Sequence, residues 1–203
     1  MNAGKSTALL QSNYNYNERG METLLFLPKI DADSNNGMIH SRIGLTAETH
    51  SADVDFNFFN FVSQEQIKKT INCILIDEVQ FLTKEQVRQV CKISDELNIP
   101  AMCYGIRTDF QGKLFEGSSE LLALADNLIE LKTVCDCGRK AIMVVRLDET
   151  GKVVTDGDQI KIGGNDTYKV YCRKHFRELT RFCLLYTSPS PRDQRGSRMP
   201  SSA

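Results

Sequence analysis

Ile71-Asn72-Cys73-Ile74-Leu75-Ile76-Asp77-Glu78 is a short apolar run that ends on two acids. A run of this length, too short for a helix and without alternation, reads as a strand buried on both faces, which is the pattern of a parallel sheet. The flanking segments agree. On the C-terminal side, Lys84 to Leu97 carries Val87, Val90, Cys91, Ser94 and Leu97 at helical spacing, and Pro100 separates it from a strand at Ala101 to Gly105. A helix over Leu114 to Ala125 and a strand over Asn127 to Leu131 (NLIEL) follow. On the N-terminal side, Lys5 to Arg19 reads as a helix closed by Gly20, and Thr23 to Leu27 as a buried strand stopped by Pro28. Asp31 to Gly37 is turn-rich, and Thr49 to Asn60 has no firm period, so a long, partly mobile connection is expected there. Ser63-Gln64-Glu65-Gln66 has the form of a capping box and predicts a short helix ending near Thr70. Strands alternating with helices imply an α/β fold, a mostly parallel sheet with helices on both faces, over residues 1–131. From about residue 132 the chain changes to short strands, turns and metal-type residues, a smaller lobe over 132–182.

Composition sets the outer limits. With 203 residues, 41% hydrophobic and 25% charged, the chain is long enough for one or two cores and is not generally disordered. A net charge of −1 supplies no field to gather nucleic acid or anionic lipid, so neither is expected as a partner. No apolar run reaches the roughly 18 residues of a membrane span, and the N-terminus lacks a basic-then-apolar signal, so a cytoplasmic location is expected. Tyr186 to Ala203 holds three of the five prolines and five serines with no apolar period. Residues 183–203 are therefore expected to be disordered, and they resemble translated adapter read-through more than a functional tail. Without them the chain retains 22 basic and 25 acidic residues and is mildly acidic.

The chain opens on Met1-Asn2-Ala3-Gly4-Lys5-Ser6-Thr7, the second half of the pattern G-x-x-x-x-G-K-[ST]. Phosphate binding needs a glycine where the backbone curls close, successive N–H donors at a helix N-terminus, a lysine for the outer phosphates and a hydroxyl for magnesium. Gly4, Lys5 and Ser6 can fill those roles, with Asn2, Ala3 and Thr7 beside them. Alone, the tripeptide could equally be a helix start with a surface lysine. Asp77 and Glu78 at the end of a buried strand supply the second half of the constellation, a carboxylate for magnesium and one free to act as general base. Because the motif begins in its middle, the first element of the fold is expected to be missing.

The seven cysteines are an odd number, which disfavours a closed disulfide framework. Cys73, Cys91 and Cys103 sit singly in apolar segments and read as core residues. Cys135-x-Cys137 and Cys172-x2-His175 form two ligand pairs separated by 34 intervening residues, suited to a closed tetrahedral zinc site, with Gly138 providing the turn. His40 and His50 read as solvated residues of the polar connection.

Taken in order, NAGKST, LIDEVQF (75–81), YGIRTDF (104–110), ELKTVCDCGRKA (130–141), IGGNDTY (162–168) and YCRKHF (171–176) resemble the thymidine kinase family of bacterial and cytosolic type. The resemblance covers residues 1 to about 180. It implies ATP-dependent phosphorylation of the 5′-hydroxyl of thymidine or deoxyuridine, with ATP, Mg2+ and structural Zn2+ as cofactors and a homotetramer as the assembly. By position it implies Glu78 as catalytic base, Asp77 as the magnesium-linked acid, and Asp77 through Val79 to Gln80 as a second nucleotide-contacting stretch after the phosphate loop Asn2 to Thr7. Phe110 corresponds to an aromatic beside the thymine. Met1, Ile162, Gly163, Gly164, Asn165 and Tyr168 correspond to further nucleoside contacts, and Cys135, Cys137, Cys172 and His175 to the zinc ligands. Arg42 is similar to an arginine near the substrate phosphates, though a solvated loop charge is an equal reading. In the family a strand and the start of the phosphate loop precede the position of Met1, so this chain is expected to lack them. Two other readings stay open: a catalytically silent, zinc-stabilised interaction module, and another P-loop ATPase.

Overall fold

The computed structural model describes residues 3–32, 37–160 and 167–180. The elements of the first part are α1 (Lys5–Glu18), β1 (Thr23–Pro28), α2 (Lys29–Ala32), β2 (Met38–His40), β3 (Thr46–Glu48), β4 (His50–Ala52), α3 (Phe58–Lys68) and β5 (Cys73–Ile76). They continue with a 3-10 turn (Val79–Phe81), α4 (Lys84–Leu97), β6 (Ala101–Cys103) and α5 (Glu116–Leu124). The smaller part comprises β7 (Thr133–Val134), β8 (Lys140–Ala141), β9 (Met143–Leu147), β10 (Val153–Val154), β11 (Tyr168–Tyr171) and α6 (Arg173–Thr180).

Four strands form a parallel sheet in the order β4-β1-β5-β6, with Leu25 opposite Leu75 and Leu75 opposite Met102. Every residue of β5 is buried, as its continuous apolar run requires. The period of two divides β1 and β5 between two cores. Leu24, Phe26, Ile74 and Ile76 face α3 and α4, where Val62, Val87, Val90 and Ile93 complete one cluster. Leu25, Leu27, Cys73 and Leu75 face the other way, onto Leu9 and Leu10 of α1. Helices therefore cover both faces, and the carboxyl ends of β1, β5 and β6 come to one edge. Beyond this sheet, β9 is the middle strand of an antiparallel sheet β10-β9-β11, while β2-β3 and β7-β8 are hairpins.

Three sequence expectations are corrected. The segment 49–60 is not a long connection: His50–Ala52 is the edge strand β4, and Phe56, Phe58 and Phe61 pack around Phe26 with ring centroids 5.1–5.9 Å apart. His50 is exposed on that strand, as expected of a solvated residue, with its ring centroid 4.9 Å from that of Phe61, and partial desolvation there lowers its pKa below the ordinary value. Aromatic packing of this kind carries no sequence period. Secondly, α3 is capped by Asn57, whose side chain accepts from the Asn60 N–H, whereas the Ser63 hydroxyl lies inside the helix and donates to the Phe59 carbonyl. The capping box is at Thr83 and Gln86 of α4, where Gln86 also donates to the carbonyls of Asp53 and Phe56. Thirdly, Asn127 to Leu131 is irregular rather than a strand, with Leu128 and Ile129 64% and 86% exposed. Among the described residues nothing pairs with it, and β6 is the last strand of the sheet on that side. β-forming residues need a partner ladder to hold them extended. Among the described residues no helix is long and apolar enough to cross a membrane.

Candidate functional site

Gly4 adopts φ 71°, ψ 25° as the residue that starts α1, a left-handed conformation suited to glycine. The Ala8 N–H is the first to bond back, to the Gly4 carbonyl at 2.9 Å. The N–H groups of Lys5, Ser6 and Thr7 precede it in the first turn, where the helix itself provides no acceptor, so they and the positive end of the helix dipole form an anion cradle. Because α1 packs on the β5 face, the cradle lies beside the end of β5. The Ser6 hydroxyl donates to Asp77 Oδ2 at 2.7 Å, and the Glu78 N–H donates to Asp77 Oδ1 at 2.9 Å. Asp77 is 2% exposed, and burial followed by the neighbouring Glu78 carboxylate pushes its pKa up to about 6.

Glu78 sits at φ 49°, ψ 40°, one of two non-glycine residues at positive φ among those described. A left-handed glutamate costs about 1–2 kcal/mol, and the surroundings hold it there. The 3-10 turn that follows is fixed by the Val79 N–H bonding the Tyr104 carbonyl at 3.0 Å. The Glu78 carboxylate lies 3.4 Å from the Lys5 ammonium and accepts from the Gln80 side-chain amide at 2.5 Å. Gln80, 3% exposed, uses its own oxygen to accept the Ile106 N–H, which ties the segment leaving β6 to the same turn. Thus Gly4, Lys5, Ser6, Thr7, Asp77, Glu78, Val79 and Gln80 converge on one edge. Asn2 and Met1 lie outside the described residues, and Ala3 immediately precedes the cradle.

Phe110 follows six residues after Tyr104 and is 2% exposed, under the guanidinium of Arg146 at 3.8 Å from the ring centroid. Ile162, Gly163, Gly164 and Asn165 lie outside the described residues; Tyr168 begins β11 and is half-buried. Arg42 is exposed in the turn between β2 and β3. Sequence reasoning missed Arg146, whose one signal was a lone charge in the strand MVVRL, and it did not anticipate that Gln80 would brace Glu78.

Cys135, Cys137, Cys172 and His175 bring their ligand atoms within 4.8 Å of one another. The Cys137 and Cys172 sulfurs are 3.8 Å apart, and Cys135 Sγ is 3.2 Å from His175 Nδ1. A tetrahedron with Zn–S bonds of about 2.3 Å has S···S edges of about 3.8 Å, so these residues fit the ion. The turn is set by Gly138 at φ 76°, whose N–H bonds the Cys135 carbonyl. Although burial opposes it, donation from the backbone at Cys137 and Cys172 and from the His175 ring lowers the Cys135 thiol to about 6, the direction a metal-binding thiolate requires.

A helix N-terminus facing a strand-end acid pair, joined to a Cys3His cluster that could hold a metal ion, defines an α/β protein of P-loop type. The comparisons with known proteins carry this to a family. The family model for thymidine kinase matches residues 1–176. Thymidine kinases of Rhodopirellula baltica, Coxiella burnetii and Aliivibrio fischeri are 55%, 56% and 55% identical to the chain over 178 residues. Those alignments cover 87–88% of this chain and 84%, 91% and 93% of the three relatives respectively. The chain belongs to the thymidine kinase family.

Proposed function

We propose that this chain transfers the γ-phosphate of ATP to the 5′-hydroxyl of thymidine or deoxyuridine, giving the nucleoside monophosphate for salvage into DNA precursors. The single observation that supports this reading most is the convergence of Lys5, Ser6, Asp77 and Glu78 through contacts of 2.7–3.4 Å at the carboxyl edge of β5. The Lys5 ammonium and the N–H groups opening α1 hold the triphosphate. Ser6 Oγ and the Asp77 carboxylate, an all-oxygen donor pair, are the groups that would hold magnesium. When bound, the ion would neutralise charge on the ATP phosphates. Glu78 accepts the proton of the attacking hydroxyl, its carboxylate aimed by Gln80 and by the left-handed backbone. Lys5 faces both Glu78 and the phosphate cradle, so it links base and leaving group electrostatically. Phe110, buried beneath Arg146, is the aromatic assigned to the thymine side of the site.

In this reading residues 132–182 form a separate lobe, closed by zinc on Cys135, Cys137, Cys172 and His175, that carries the nucleoside-binding stretch 162–168. With four protein ligands the ion has no open position and acts structurally. Assembly as a homotetramer and a cytoplasmic location belong to the same reading.

The experiment is product analysis with [γ-32P]ATP, magnesium and thymidine. Label appearing in thymidine monophosphate supports the kinase. ATP hydrolysis indifferent to thymidine would replace it with another P-loop ATPase, and neither hydrolysis nor transfer would leave the silent zinc-stabilised module.

A further inference from the structure

Arg146 carries a charge where the strand pattern calls for an apolar residue. It is the fourth residue of β9, 6% exposed, and among the described residues no carboxylate oxygen lies within 4 Å of its guanidinium. Burying a cation without an anionic partner is costly unless its donors are met in full. Here Nη1 donates to the Asp158 carbonyl at 2.8 Å, Nη2 to the Asp156 carbonyl at 3.3 Å, and the plane lies 3.8 Å over Phe110. The residue also stands at a junction of the sheet, opposite Val154 of β10 on one side and Tyr168 of β11 on the other. The strand leading into residues 155–160 and the strand that receives the chain at 168 are thus both registered on Arg146.

Two further features share this arrangement. Gly157, at φ 126°, lies so close that a Cβ on it would stand 2.7 Å from Arg146 Nη2, so the fork reaches its carbonyls only past a glycine. Gln159 donates to Asp109 Oδ2 at 2.8 Å, and Asp109 Oδ1 accepts from the N–H groups of Gln111 and Lys113. Residues 155–160 are therefore tied on both sides of Phe110: through Arg146 to its ring, and through Gln159 to its neighbour.

We propose that Arg146 is a positioning residue for the nucleoside. It packs over the buried ring of Phe110, holding that ring in place, and fixes residues 155–160 beside it. It does so without touching nucleotide. This rests on the reading of Phe110 as the base-side aromatic. A lysine cannot replace it, because a point charge lacks the planar fork that bonds two carbonyls and stacks on a ring at once.

The test measures thymidine and ATP dissociation constants by equilibrium dialysis on the full chain, with zinc content and thermal unfolding recorded for each variant. Arg146→Met, which keeps the aliphatic stem, is expected to weaken thymidine binding about tenfold or more and to leave ATP binding within about twofold. Arg146→Lys is expected to recover only part of the loss, and Gly157→Ala to shift thymidine binding in the same direction by crowding the fork. Should Arg146→Met fail to fold, the lysine and Gly157 variants carry the same comparison. Phe110→Leu separates the two levels of the argument. If it leaves thymidine binding unchanged, the base-side role of Phe110 fails. If it weakens thymidine while the Arg146 and Gly157 variants do not, the positioning role is overturned. Parallel loss of ATP and thymidine would also overturn it, reducing Arg146 to a fold-stabilising residue.

Discussion

Gly117→Ala isolates the packing that aims Glu78. Gly117 lies in the first turn of α5 against the 3-10 turn, and a Cβ there would stand 2.4 Å from the Val79 carbonyl oxygen, 2.8 Å from that of Leu82 and 3.4 Å from that of Gln80. All three are backbone atoms and cannot rotate away. Widening the closest contact from 2.4 Å to an ordinary 3.4 Å moves the turn by about 1 Å. Glu78 immediately precedes that turn and is held by it, so its carboxylate moves as well. Overpacking of this kind costs about 1–3 kcal/mol, offset by up to about 1 kcal/mol from the better helix propensity of alanine. Net destabilisation of about 1–2 kcal/mol is expected. A displacement of 1 Å at a catalytic group is worth about 100-fold in rate. The assay pairs urea unfolding with the steady-state rate of thymidine phosphorylation at saturating substrates. Gly151→Ala is the control: it strains a φ of 79° but meets nothing within 4 Å, so it should lose comparable stability with kcat retained. If Gly117→Ala kept kcat within about twofold of the parent, the α5 contact would not be what positions Glu78.

Asp77→Asn should lose turnover yet stabilise the magnesium-free protein by about 1–2 kcal/mol at pH 7.5, because it removes a buried charge. The sign follows from a carboxyl raised to about 6 when folded: the native state keeps its proton longer than the unfolded chain, so stability falls as pH rises toward 6 and levels off above it. The stabilisation by asparagine should shrink from pH 7.5 to 5.5 in urea titrations, and a constant difference would refute the assignment. Metal analysis of protein prepared without chelator should find one zinc per chain, and Cys172→Ala should lose it and unfold the C-terminal lobe at lower temperature, since structural zinc contributes directly to folding. Cys73 is fully buried and its thiol is raised to about 11 by burial, so it should resist a disulfide reagent at pH 8 until the protein is unfolded. Rapid labelling of Cys73 in the native state would show that the α1 face of the sheet opens readily.

What the sequence reveals and what it hides follow from the range of the interactions. The strand Cys73–Ile76 was legible because burial on both faces leaves a continuous apolar run, and the candidate site because phosphate and metal chemistry would demand particular residue types at fixed short spacings. Gly4, Lys5, Ser6, Asp77 and Glu78 come together as their order along a parallel α/β chain requires. The limits appear where the deciding partner is distant. Ser63-x-x-Gln66 and Thr83-x-x-Gln86 are equivalent as local motifs, yet only the second caps a helix, because Gln86 also reaches Asp53 and Phe56 across the fold. The apolar segment 127–131 has strand composition but no ladder beside it among the described residues. Arg146 resembles a solvent-facing charge until the fold brings the Phe110 ring under it and the Asp156 and Asp158 carbonyls to its tips.

The proposed role of Glu78 is that of base for a nucleoside hydroxyl. It is tested most directly by the single-turnover rate of Glu78→Gln, with thymidine affinity measured on the same preparation. Glutamine keeps the size and can still meet Gln80 and Lys5, but it cannot take the proton. Loss of about 100-fold or more in the phosphoryl-transfer rate, with thymidine binding within about threefold of the parent, is the predicted result. Transfer at the parental rate would contradict it and move the general base away from the end of β5.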